Sequence, residues 1–175
     1  TSLSNSQTDP IQFSFGQSVP LESLSDYERD MLFYQKRKKG KCRFVEPPQL
    51  VAPIADTHAH LDMLEDPSRA LARSAYYGIG FICTIMDVQE NDHTTFEQLS
   101  QWLAGARSIF DRYEVGDFDR ACPRVRIGIG CHPHNAKFYD NDLEIRLKEK
   151  LHDPLVAAIG EVGLDYHYDH SPRPQ

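Results

Sequence analysis

The sequence predicts an α/β fold built on parallel strands and closed as a barrel. Three observations predict it. From residue 54 onward, short apolar stretches alternate with helical patterns in the order β-α-β-α-β-α-β. Those stretches are nearly continuous in apolar residues, as strands are when helices cover both faces of a sheet. Three of them end in side chains suited to chemistry: His58 and His60, then His132 and His134, then Glu161 and Asp165. Parallel α/β folds place their sites at the carboxyl ends of strands. A flat flavodoxin-like sheet is the competing arrangement. The barrel is preferred because no glycine-rich phosphate loop follows the first strand.

Residues 1 to about 20, rich in Ser, Gln and Asn with isolated Phe13 and Phe15, show no sustained period and are expected to form a flexible tail. Residues 21–50 read as a helical arm and linker. Ser25-Asp26-Tyr27-Glu28 has the form of a capping box, and a helix is expected to run to about Lys39, with Gly40 as its stop. The cations Lys36, Arg37, Lys38 and Lys39 then complement a negative helix end or, alternatively, form a nucleic-acid or partner-binding arm. Three prolines between Glu46 and Pro53 mark the linker.

The domain proper spans 51–175. Its first strand covers 54 to 60, and Asp66-Pro67 is an N-cap and first-turn pair for a helix that stops at Gly78. The second strand is Phe81 to Met86, ending at Asp87. Thr94 to Glu97 forms another capping box. Phe96, Leu99, Leu103, Ala106, Phe110 and Tyr113 follow at alternating steps of three and four, the stripe of a helix facing a core. A third strand spans about 125 to 131. A helix capped by Asn141 carries Leu143, Leu147 and Leu151 to a stop at Pro154, and a fourth strand covers about 155 to 161.

With 175 residues, 40% of them apolar, the chain has enough material for one packed core. A net charge of −7 makes the surface as a whole repel a polyanion, so contact with nucleic acid requires local basic groups or metal. The cysteines Cys42, Cys83, Cys122 and Cys131 form no C-x-x-C pair, which points to a reducing, cytoplasmic compartment, with Cys83 and Cys131 as core thiols. No apolar run approaches a membrane span, and no membrane partner is expected.

His58 and His60 stand two apart on a predicted strand, and alternate residues of a strand share a face. Both imidazoles therefore point to one side, where two of them can hold a metal ion. His93 and His152 fall by helix ends and read as solvated, whereas His167 and His170 follow Glu161 closely enough to reach the mouth of a site.

Three segments in order, Asp56-Thr57-His58-Ala59-His60-Leu61-Asp62, Gly130-Cys131-His132-Pro133-His134 and Ile159-Gly160-Glu161-Val162-Gly163-Leu164-Asp165-Tyr166, resemble the signatures of the TatD-related metal-dependent hydrolases and deoxyribonucleases. The resemblance covers about residues 51 to 170. It implies a (β/α)8 TIM-type barrel of the amidohydrolase kind, of which this chain holds only about the first four β-α units. It also implies two divalent ions per complete site (Zn, Mn or Mg) and hydrolysis of phosphodiester bonds in DNA by metal-activated water. Matched residue by residue, His58, His60 and Glu161 are metal ligands, and Glu161 and His132 take catalytic roles. His132, His134, Asp165 and Tyr166 are expected to contact substrate. The remaining ligands of the family lie in its second half, so this chain is expected to be a fragment with little activity alone and with open sheet edges prone to self-association. An amidohydrolase-type enzyme acting on another ester or amide, and an inactive fragment or interaction module, are the alternatives.

Overall fold

The structure, a computed structural model, describes residues 16–47, 49–90, 94–168 and 170–172. The chain divides into two units, Thr1–Gln49 and Leu50–Gln175.

The first unit is a small antiparallel sheet with one short helix. Strand β1 (Ser18–Pro20) leads through a 3-10 turn (Leu21–Ser23) to helix α1 (Asp26–Met31), and strands β2 (Tyr34–Lys36) and β3 (Lys41–Phe44) complete a sheet of order β1-β3-β2. The capping box forms as expected: Ser25 Oγ accepts the Glu28 N–H, and the Glu28 carboxylate accepts the Ser25 N–H. The helix, however, ends at Met31 rather than near Lys39, and the basic run lies on the tip of a β2–β3 hairpin. Lys39 and Gly40 both have positive φ there, 61° and 65°. A left-handed glycine closes a helix and a hairpin equally well, which is why Gly40 reads as a helix stop. The tail expected over residues 1 to about 20 is ordered at its end, where Ser18, Val19 and Pro20 pair with Arg43, Cys42 and Lys41. Residues 1–15, with Phe13 and Phe15, lie outside the described residues. Leu24, Cys42 and Phe44 form the core of this unit, with Val19, Leu21, Leu32 and Tyr34 packed around them.

The second unit is α/β. Strands β4 (Ile54–Ala59), β5 (Ile79–Asp87), β6 (Arg124–Gly130) and β7 (Val156–Ile159) form a parallel sheet of order β4-β5-β6-β7, joined by helices α2 (Pro67–Tyr76), α3 (Thr94–Tyr113), the short α4 (Phe118–Ala121) and α5 (Asn141–Lys150). Parallel neighbours require such crossovers, because a hairpin turn can only join antiparallel strands. Asp66 caps α2 by accepting the Arg69 N–H, with Pro67 in the first turn as expected. The cap of α5 is Asp140, one residue before the expected Asn141, and it accepts the Leu143 N–H. Both residue types cap well, so adjacent Asp and Asn leave the choice to the fold. The Thr94 side chain and His93 lie outside the described residues.

Of the expected stripe on α3, Leu99, Ala106 and Phe110 are buried and Phe96, Leu103 and Tyr113 half-buried, while Trp102 and Ile109, outside the stripe, are buried as well. Met86, Val88, Ile127, Ile129, Cys131, Leu143 and Leu147 form a second cluster between the inner strands and α5. Among the described residues the four strands make an open sheet. No helix among them is long and apolar enough to cross a membrane.

Candidate metal centre

The first histidines sit where β4 ends. The Asp56 carboxylate accepts the His58 N–H at 3.1 Å, turning the backbone as the strand closes. His60 follows the last strand residue and opens a 3-10 turn (Leu61–Met63). The next N–H, that of Leu61, is donated to the Thr84 hydroxyl at 3.1 Å, and Thr84 is fully buried in β5. This bond ties the histidine segment to the neighbouring strand. The two rings lie 5.2 Å apart between centroids.

Glu161 arrives from the other side of the sheet, two residues past β7. The Gly160 N–H is donated to the Ile129 carbonyl at 2.9 Å. Gly130 is required at this point: a Cβ there would collide with the carbonyl oxygen of Glu161 and would lie 2.9 Å from the carbonyl carbon of Gly160. Only a residue without a side chain lets the two backbones approach so closely.

The Glu161 carboxylate then divides between two imidazoles. Oε1 lies 2.9 Å from His58 Nε2, and Oε2 lies 3.1 Å from His132 Nε2. His132 stands just past β6, and its Nδ1 accepts the His134 N–H at 3.2 Å. An imidazole that accepts at Nδ1 and is neutral carries its proton on Nε2, so that proton faces Glu161. One donor atom from each of His58, His60 and Glu161 lies within 4.8 Å of the others. Two imidazole nitrogens and a carboxylate oxygen so close together fit a divalent ion with further positions left open.

His134 Nε2 lies 2.9 Å from Asp165 Oδ2. The other oxygen of Asp165 accepts the backbone N–H groups of His167 and Tyr168 at 2.8 and 3.1 Å. These two bonds, the one from His167 foremost, hold the Asp165 carboxyl below its ordinary pKa range. Tyr166 is 59% exposed and does not line the cavity at the histidines. That cavity, of about 420 Å³, is lined by His60, His132, His134 and Glu161 together with Asp87 and Glu90. The last two are not among the site residues the sequence predicts, nor is Asn135, whose side-chain amide donates to Asp87 Oδ2 and Glu90 Oε1, both at 2.7 Å. Asp87 was legible as an acid closing a strand, the same position that singles out Glu161.

A sequence model described as TatD related DNase matches residues 55–175. The chain belongs to the TatD-related DNase family. A human protein named 3'-5' RNA nuclease TATDN2 is 31% identical over 126 residues, covering 69% of this chain and 15% of that protein. A protein of Cronobacter turicensis named 3'-5' ssDNA/RNA exonuclease TatD is 34% identical over 88 residues, or 46% of this chain and 34% of its own length. Its namesake in Cronobacter sakazakii is 30% identical over 88 residues. The chain thus spans about a third or less of the curated relatives it matches. The TatD signatures reach a single cavity through His60, His132 and Glu161.

Proposed function

We propose that the chain forms part of a divalent-metal-dependent nuclease that hydrolyses phosphodiester bonds in DNA, at a site built on His58, His60, His132 and Glu161. The observation that supports this reading most directly is the position of Glu161, just past β7, whose two oxygens face His58, at the end of β4 three places away in the sheet, and His132, just past the adjacent β6. His58, His60 and Glu161 would hold a first ion. The complete centre would take two ions of the Zn, Mn or Mg kind, and Glu161 would serve the second as well. A bound ion of this kind polarises a phosphate oxygen and brings the pKa of water toward about 7. His132, whose Nε2 lies beside Glu161 in the same cavity, contacts the phosphate. His134 and Asp165 orient His132 through the His134 backbone and side chain, and Tyr166 contacts the substrate at the rim.

The names of the relatives favour a single-stranded substrate. The sheet is read as the first half of a (β/α)8 barrel, residues 51–175, with the hairpin unit as an appended arm. Free, buried cysteines support a cytoplasmic setting. Three side-chain donors hold one ion weakly, so the 175-residue chain should show little turnover by itself, and its exposed sheet edges should favour self-association.

Metal content and cleavage of single-stranded DNA, each with and without chelator, test this reading. His58→Ala combined with His60→Ala should remove the ion at this site at neutral pH and any chelator-sensitive cleavage. Unchanged metal content at that site in the double variant would sink the assignment.

A further inference from the structure

We infer that His134, Asp165 and His170 form a second, separate site for a divalent transition-metal ion of the zinc class. One donor atom from each lies within 4.8 Å of the others, and none of the three belongs to the His58, His60 and Glu161 group. Ligands around a tetrahedral zinc ion stand about 3.4 Å from one another, given bonds of about 2.1 Å. Of the three donors, His134 Nε2 and Asp165 Oδ2 stand 2.9 Å apart, and the 4.8 Å bound on the whole group is of the same order as that spacing.

The stronger observation is the state of Asp165. Its side chain is only 10% exposed, and its Oδ1 is taken by the N–H groups of His167 and Tyr168. Those two bonds are all that a purely structural carboxylate would need in order to close this turn. Oδ2 is buried and, among the described residues, takes part in no hydrogen bond, although His134 Nε2 lies only 2.9 Å away. Proximity without a directed N–H is what results when two lone-pair atoms both aim at a third point. The His170 ring completes the group, its centroid 4.3 Å from that of His134. Two imidazoles and one carboxylate suit zinc and its neighbours better than calcium or magnesium, which prefer oxygen throughout.

The site would join two segments of the chain. His134 stands in the 3-10 turn Pro133–Phe138 after β6, whereas Asp165 and His170 belong to the loop after β7. Ser171, buried, already clamps these segments, donating to the His134 carbonyl at 3.3 Å and accepting the Lys137 N–H at 3.0 Å. An ion would staple the loop beside that clamp and fix His134, whose ring lies 4.5 Å from that of His132.

Zinc titration of the chelator-stripped, 175-residue chain decides the matter, read as zinc per chain by elemental analysis and as protection of the 161–171 loop from protease. The variants are His170→Ala, which alters an exposed residue, Asp165→Asn, which retains an acceptor for the turn, and the His58→Ala, His60→Ala pair. His170→Ala and Asp165→Asn should each lose one equivalent of zinc and the loop protection while unfolding at the same urea concentration as the parent. The paired variant should keep that equivalent and the protection. Should the paired variant bind as much zinc as the parent, the proposed function suffers and this site stands. A parent chain that takes up no zinc, or zinc uptake and protection unchanged in both His170→Ala and Asp165→Asn, overturns the site.

Discussion

Strands β5 and β6 are buried over most of their length and pair in one unbroken register from Phe81 opposite Arg124 to Asp87 opposite Gly130. Strands β4 and β7, outside them, are largely exposed, and each shifts register against its inner neighbour. The proposed ligands of the first site, His58, His60 and Glu161, stand at the ends of the outer strands. In a flat sheet three strand spacings of about 4.8 Å would separate β4 from β7 by about 14 Å. Yet His58 Nε2 and Glu161 Oε1 stand 2.9 Å apart. The strand ends must therefore lean together, and the shifts in both outer pairings are where a strand can bend. The inner pair supplies burial, and the outer pair supplies curvature and ligands.

Breaking the inner pair should have the largest effect on stability. Ile127 is fully buried, and Ile127→Ala should cost about 2–5 kcal/mol in urea unfolding, for the lost transfer energy plus the cavity. Ile159 in β7 is 62% exposed, and its replacement by Ala should change stability by no more than about 0.5 kcal/mol. Equal losses at the two positions would erase the distinction between inner and outer strands.

Gly130→Ala acts at the junction between them. The added methyl meets the backbone of Gly160 and Glu161, which cannot swing aside as a flexible side chain could. We expect about 1–3 kcal/mol of destabilisation from the forced backbone shift, together with weaker metal binding at His58, His60 and Glu161 because Glu161 is pushed off its position. Metal affinity equal to that of the parent, measured by titration at a temperature where both fold, would show that Gly130 does not set Glu161.

The sheet was legible because its strands carry apolar runs and its helices are capped by Asp66 and, one residue off, near Asn141. The His58 and His60 pair stood out from strand periodicity together with the flanking Asp56 and Asp62, and Glu161 from its place at a strand end. The hairpin at 34–44 was not, because the left-handed preference of Gly40 is the same signal in a hairpin as at a helix end. Nor were Asp87, Glu90 and Asn135 as a group: their bonds join residues 48 and 45 positions apart, and local pattern carries no trace of such pairing. Thr84 went unnoticed for a related reason. A threonine inside an apolar strand reads as a β-branched filler.

Thr84 offers the smallest and most selective test. Its hydroxyl is an inner-strand group that accepts an N–H from the outer-strand segment carrying His60. Thr84→Val preserves shape but leaves the buried Leu61 N–H without its acceptor, a loss of about 1–3 kcal/mol. If the inner strand positions the ligands as well as burying its own side chains, metal binding at the first site should weaken in Thr84→Val and return in Thr84→Ser, which restores an acceptor. The same number of ions should bind at saturation, since every ligand remains. Stability that falls in Thr84→Val with no change in metal affinity would mean that burial in β5 and ligand placement in β4 are independent, and that the histidines are set by the Asp56 turn instead.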